Sequence, residues 1–351
     1  MQSLFAVSQD TLKCWFAEHQ QPAFRLRQLQ QWLFQPGVTT FEQMSNLPKA
    51  LREQLAQDFC LRTTKVLTRS GTESSSAEKF LLELADGNTI ECVLLHNEQG
   101  QHTLCASTQV GCAMGCAFCA SGLGGVVRNL TADEILEEFL IAADHLKQRE
   151  KRTGKEERLS HAVIMGMGEP TMNLDSLLKA LDVVTSPTGM NIGARKITIS
   201  TVGIPQGIER LADAPHQFHL AISLHAPNDE IRSQIIPANR GIGIANVLRA
   251  AESFFRKTGR RVTYEYILID GLNDTVQCAE ELARLLRHQN AIVNLIPYNP
   301  VEELPFRTPS SRRVEVFSQT LEKHGIAFTV RHRKGDEIDA ACGQLRRKRD
   351  R

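Results

Sequence analysis

Long apolar runs are missing from this chain of 351 residues: none approaches the roughly 20 uninterrupted apolar residues that a membrane-spanning helix needs. The opening MQSLFAVSQD lacks the basic and apolar regions of a secretory signal. Low-complexity tracts and repeats of fixed period are absent too, which excludes solenoids and disordered scaffolds. Net charge is small, formally +1. With 42% hydrophobic residues, these absences leave an ordinary globular chain, expected in the cytoplasm and with no membrane partner. Its nine cysteines are then expected as thiols or metal ligands rather than structural disulfides.

The neutral total hides a basic end. Residues 304–351 hold twelve Lys and Arg against six Asp and Glu, and residues 346–351 form a basic tail suited to phosphates. Helical periodicity at 11–18 and 24–34, closed by Pro36-Gly37, predicts a small separate helical domain over residues 1–75. Strand patterns at 79–84 and 89–95 flank a turn at 85–88, predicting a hairpin extension over 76–104. Thereafter strand-like runs at 103–107, 161–165, 196–200, 219–223, 262–269, 291–296 and 327–331 alternate with helical patterns. Those patterns lie at 131–149, 174–185, 204–212, 244–257, 276–288 and 310–324, which predicts parallel βα units. Six or seven units fall short of a closed eight-stranded barrel. Residues 105–345 are therefore expected as an α/β, open partial (β/α)6 barrel with its chemistry at the carboxyl ends of the strands. The polar stretch 147–160 is expected as an exposed connection.

The most informative local feature is Cys112-Ala113-Met114-Gly115-Cys116-Ala117-Phe118-Cys119. Three thiolates in eight residues with no fourth nearby serve one inorganic centre and leave a position open, whereas structural zinc and most cubane sites take four protein ligands. A zinc site with a distant fourth ligand, or buried thiols without metal, are the other readings of this spacing. The spacing resembles the signature of the radical S-adenosylmethionine (SAM) enzymes, which implies a [4Fe-4S] cluster whose open iron chelates SAM. One βα unit later, Gly166-Met167-Gly168-Glu169-Pro170 ends a strand. Glycines there allow close backbone approach to a ligand, and Glu169 sets a carboxylate beside it. Ser200, the run Ser223-Leu224-His225 and Asn299 end three further strands.

The resemblance narrows with the segments 105–112, 128–131, 166–170, 294–300 and 335–345, in that order. Together they resemble the RlmN/Cfr family of radical SAM RNA adenosine methyltransferases, from about Phe24 to Leu345. Ser121 and Thr171 stand where Thr and Leu are more usual in the family, and neither is expected to touch a proposed ligand. The resemblance implies Cys112, Cys116 and Cys119 as cluster ligands and Gly168, Glu169, Ser200, Ser223, Leu224, His225 and Asn299 as SAM contacts. It implies Cys342, Cys105 and Glu91 as catalytic residues.

Adenine C2 is electrophilic and unactivated, so polar methyl transfer from SAM fails there and a carbon radical is needed. By resemblance, one SAM methylates Cys342 and a second, cleaved reductively, activates that methyl group, whose carbon adds to the base. Glu91 is the implied proton acceptor, and Cys105 releases the product by forming a disulfide with Cys342. The implied substrates are C2 of adenosine 2503 in 23S ribosomal RNA, protein-free or in an early assembly intermediate, and an adenosine of some tRNAs. A reductant such as flavodoxin is the implied electron donor. The alternatives are Cfr-type methylation at C8 of the same adenosine and, from another class, a zinc-dependent RNA-binding module. Apart from the resemblance, Cys105 and Cys342 read as buried thiols, as do Cys14, Cys60, Cys92 and Cys278.

Overall fold

Alternating apolar periods of 2 and 3.6 residues resolve into one large sheet flanked by helices. The computed structural model describes residues 2–72, 75–97, 99–331 and 343–345. Cys342 and the basic tail lie outside the described residues. The chain begins with β1 (Gln2–Ser3), α1 (Gln9–Glu18), α2 (Ala23–Leu33), α3 (Lys49–Asp58) and β2 (Phe59–Cys60), which pairs with β1. Then come β3 (Lys65–Ser70), β4 (Ala77–Glu83), β5 (Thr89–Leu95) and β6 (Gln101–Cys105). A ribbon of β7 (Gln109–Gly111) and β8 (Val126–Asn129) leads to α4 (Ala132–Thr153) and β9 (Arg158–Ile164). Next are α5 (Leu174–Thr185), β10 (Ile197–Thr201), α6 (Pro205–Ala212), β11 (His219–Ser223), α7 (Asp229–Ile235), α8 (Asn239–Ile242) and α9 (Ile244–Thr258). The described elements end with β12 (Val262–Leu268), α10 (Val276–Leu286), β13 (Ala291–Pro297), α11 (Ser311–Lys323) and β14 (Phe328–Val330).

Ten strands share a sheet in the order β14, β13, β12, β11, β10, β9, β6, β5, β4, β3. β6 and β9 to β14 pair in parallel, while β3 to β6 pair antiparallel. The expected βα units and the 85–88 hairpin are present. The pattern of β3 went unread because its residues are mostly exposed and gain their pairing from β4. Period two then sorts the faces. In β10, Ile197 and Ile199 are buried in the main core, so Thr198 and Ser200 take the opposite face. In β12, Tyr264 and Tyr266 belong to that same core, and Tyr266 stacks on Phe317 of α11 at 5.2 Å. Glu265 and Ile267 therefore face the other way.

Of residues 147–160 only 154–157 connect two elements, and although 151–156 are exposed as expected, the flanks belong to helix and strand. α4 runs on to Thr153, closed by Gly154 in the left-handed conformation (φ 69°), and β9 starts at Arg158. Arg149 and Glu157 turn inward and pair at 3.1 Å. Period alone cannot see this, because the partners arrive from other strands: Glu157 also meets His102, and Glu78 meets His96 at 2.9 Å and His145 at 3.1 Å.

A second cluster, including Leu4, Phe16, Leu29, Met44 and Leu55, packs among the first three helices. The segment after β2 is tied to α4 by polar side chains. Arg62 pairs with Asp144 at 3.1 Å, and the wholly buried Glu137 accepts from Thr63 N, Thr63 Oγ1 and Thr64 N at 2.9, 3.0 and 2.7 Å. Glu137→Leu puts an apolar side chain of similar size at this place on α4 but strands those donors. The unfolding free energy should fall by about 3 kcal/mol, seen in urea titrations as a lower midpoint at unchanged slope.

Candidate active site

The cysteine loop hangs between β7 and β8, and the ribbon needs glycine to close. Gly111 has φ 83°, and a Cβ there would lie 2.0 Å from the Gly125 carbonyl oxygen. Backbone bonds then set the loop: Cys112 N donates to Gly125 O at 3.1 Å, Ala117 N to Ile235 O at 2.8 Å, and Ala120 N to Gly343 O at 2.7 Å. Beneath it, Phe118, Val202, Ile235, Ile267 and Tyr298 form a separate apolar seat against which Cys116 and Cys119 pack. All three thiols line one pocket.

The opposite wall comes from strand ends. Gly166, Gly168 and Glu169 follow β9, Ser200 is in β10, Ser223 closes β11, and His225 lies two residues beyond. Each was expected there. The glycines also pack closely against protein, since a Cβ on Gly166 would meet Ala106 O at 2.7 Å and one on Gly168 would meet Thr108 Oγ1 at 2.7 Å. Their close approach is to the segment entering the cysteine loop. Glu169 is 3% exposed, and its carboxylate accepts from Thr171 Oγ1 at 2.6 Å and Val202 N at 2.9 Å. Thr171 thus touches a proposed SAM contact, contrary to expectation. Burial raises the Glu169 pKa against the lowering effect of those bonds.

His225 carries a positive φ of 58°, a conformation that non-glycine residues adopt sparingly outside functional sites. It is locked from both sides: Asn273 Nδ2 donates to its carbonyl at 2.8 Å, and Ile267 N donates to its Nδ1 at 3.0 Å. Leu224 and Asn299 do not line this pocket: the Leu224 side chain is in the main core, and Asn299 is buried next in sequence to Tyr298. Sequence reading missed Glu265, a buried pocket carboxylate bonded by Asn294 at 2.7 Å. A lone acid in an otherwise buried strand was the available signal.

Cys105 and Glu91 lie off the pocket wall. Cys105 ends β6, opposite Val93 of β5 and Val163 of β9. Glu91 is buried rather than exposed and pairs with Lys79 at 3.1 Å. Register puts Lys79, Val93 and Cys105 in one cross-strand row, so Lys79, Glu91 and Cys105 share a face. Gly343, which follows Cys342 in the chain, lines the pocket.

Comparison with known proteins completes the picture. Residues 106–286 match the Radical SAM superfamily, and residues 2–61 match the ribosomal RNA large subunit methyltransferase N-terminal domain. A probable dual-specificity RNA methyltransferase RlmN of Rhodopirellula baltica is 50% identical over 97% of this chain and 90% of its own length. Its counterpart in Symbiobacterium thermophilum is 49% identical over 100% and 92%. The chain belongs to the RlmN family of radical SAM methyltransferases. The crystal structure of a radical SAM methyltransferase from Sphaerobacter thermophilus agrees, with a TM-score of 0.92 at 42% identity, covering 99% of this chain and all of that one.

Membership in the RlmN family implies a [4Fe-4S] cluster and SAM. The donor set fits the cluster. Among the described residues no three His, Cys, Asp or Glu side chains gather tightly enough for a single ion. A cubane takes each thiolate on a separate iron, so the fit rests on donor chemistry and the shared wall. Burial pushes the Cys112 thiol up to about 11, and burial with the neighbouring thiols lifts Cys116 well above the ordinary thiol value. Thiolates there need a cationic centre beside them, which iron supplies.

His225 gives the site a pH signature. Burial, then the charge of Arg232, pushes it from 6.5 down to about 3. In the apoprotein the unfolded chain takes up this proton below pH 6.5 and the folded chain does not. The stability contribution is therefore intact above 6.5 and is lost as pH falls toward 3, by roughly 2 kcal/mol between pH 7 and pH 5. Urea titrations of the apoprotein at both pH values should show that loss, and His225→Asn, which tolerates the same backbone, should abolish most of it.

Proposed function

We propose that this chain methylates C2 of an adenosine in 23S ribosomal RNA, adenosine 2503, and of an adenosine in some tRNAs. The observation that carries the reading is the convergence of three cysteine thiols, Glu169, Ser200, Ser223 and His225 on one pocket. It occurs in a chain whose relatives are named dual-specificity RNA methyltransferases.

Bound, the cluster and two molecules of SAM per turnover would supply the methyl group and the one-electron chemistry that side chains lack. Cys112, Cys116 and Cys119 would hold the cluster, and the Glu169 carboxylate, oriented by Thr171 and Val202, would accept from the SAM ammonium. Ser200, Ser223 and His225 would orient the rest of SAM, with the backbone at Leu224 and the loop at Asn299 shaping its surroundings. Glu91, paired with Lys79, would take the proton from C2, while Cys342 would carry the methyl carbon and Cys105 would release the product. The first 61 residues and the basic carboxyl-terminal end would grip RNA through phosphate and shape. We place the reaction in the cytoplasm, on RNA free of protein or early in ribosome assembly, with a flavodoxin-type reductant. Among the described residues no helix is long and apolar enough to cross a membrane.

Replacing any one of Cys112, Cys116 or Cys119 with alanine should remove the brown chromophore and reductive SAM cleavage. Retention of both by the triple variant would refute the ligand assignment.

Cys105→Ala should stall with RNA attached through Cys342, giving a nuclease-sensitive slow band on denaturing gels that the Cys105→Ala/Cys342→Ala double variant lacks. Product formation by Cys342→Ala at the normal rate would overturn the covalent route. Mass spectrometry of RNA from a deletion strain should show methyl lost from C2; loss from C8 would move the assignment to the Cfr-type reaction.

A further inference from the structure

Arg232, on α7, is wholly buried, and it is spent on neutral partners. Its Nε donates to Leu224 O at 3.0 Å, its Nη1 to Asn239 Oδ1 at 2.5 Å, and its Nη2 to Val202 O at 2.5 Å and Ser223 O at 2.9 Å. Hydrogen bonds to carbonyls satisfy the donors but leave the charge in place. A buried cation without an anion facing it is costly, so the anions within reach decide what the residue is for.

Two groups face it electrostatically, Cys116 and Asp229. The Asp229 carboxylate is reached only through Asn239, which accepts from Arg232 and donates to Asp229 at 2.8 Å, and it offsets part of the charge while also accepting from Ile244 N at 2.8 Å. Cys116 is the other. The same short helix that carries Arg232 receives Ala117 N on its last carbonyl, Ile235 O, one residue after Cys116, and Ile235 packs in the apolar seat of Cys116 and Cys119. Three of the four acceptors, at Val202, Ser223 and Leu224, belong to the strand ends that build the pocket.

We propose that Arg232 is a positioning residue for the iron–sulfur cluster, a fixed positive charge beside Cys116 that offsets the anionic centre and eases its one-electron reduction. The inference rests on the reading that Cys112, Cys116 and Cys119 hold that cluster. An electron added to a thiolate-ligated cluster increases its negative charge, and a buried cation nearby favours that state because local screening is weak. Without the charge, the ratio of reduced to oxidised cluster at a fixed potential should fall about tenfold, which for one electron is 59 mV.

The test compares Arg232→Gln, Arg232→Met and Arg232→Lys with the unaltered protein after anaerobic loading, using iron and sulfide content, a redox titration followed by electron paramagnetic resonance, and thermal melting of the apoprotein. All three substitutions should lower the melting temperature, because all three abandon carbonyl acceptors. Only Gln and Met should lower the reduced fraction about tenfold, while Lys stays within threefold of the unaltered protein. A Gln variant with unchanged potential, or a Lys variant that falls as far as Gln, makes Arg232 a merely structural residue and overturns the proposal. If the charge-deleting variants do not fold, Lys decides alone: a preserved potential with a lowered melting temperature supports the role, and a tenfold fall defeats it. Failure of the unaltered protein to bind four irons and four sulfides would instead defeat the ligand reading beneath it.

Discussion

Parallel pairing of β6 with β9, and of each strand from β9 to β14 with the next, forces seven strands to finish on the same side of the sheet. Everything at the pocket depends on that. The strand interiors are buried on apolar faces, each fully buried Leu or Ile contributing about 1.5–3 kcal/mol, and this fixes their register. Once register is fixed, alternation decides which side chains face inward, and Ser200, Ser223 and Glu265 are delivered without further instruction. The cysteine loop is not delivered by a parallel strand's end alone. It is held by glycine geometry in a small ribbon and by backbone bonds to α7 and to Gly343.

Charge is handled by the same economy of backbone groups. Glu137 and Glu138 are both buried on α4, and each accepts from amide groups arriving from elsewhere, Glu137 from Thr63 and Thr64 and Glu138 from Ser107. Burial raises the Glu138 pKa well above its ordinary value, with only the Ser107 amide working against it. Near the other end of α4, His96, His102 and His145 surround Glu78 and Glu157 together with Arg149. The bonds from His145 and His96 overcome burial and hold Glu78 well below the usual carboxylate range. These groups knit the antiparallel extension to the helix that precedes β9.

Much of this was legible in the sequence, for identifiable reasons. Long elements with one clear period, such as Leu174–Thr185 or Ile244–Thr258, carry their own evidence, and the three-cysteine spacing carries its chemistry. What stayed hidden depends on partners that only the folded backbone brings together. Arg232 looks like any helical arginine until Val202, Ser223 and Leu224 surround it. Thr171 looked like a harmless departure because its contact with Glu169 depends on the turn between them. The polar run 147–160 resembled a solvated connection because the groups that pair with it come from β4, β5 and β6. That Leu224 and Asn299 fall outside the pocket lining likewise depends on the course of the backbone, which residue type does not display.

The short described stretch 343–345 is stitched to the cysteine loop and its surroundings at three points. Gly343 O accepts from Ala120 N, Leu345 O accepts from Ser121 Oγ at 2.7 Å, and Gln344 reaches Pro300 O at 2.9 Å. Two segments more than 200 residues apart in sequence therefore share one local equilibrium between attached and detached. Thermodynamic reciprocity applies: whatever steadies the loop steadies this carboxyl-terminal anchor by the same free energy, and whatever pulls the anchor away loosens the loop equally.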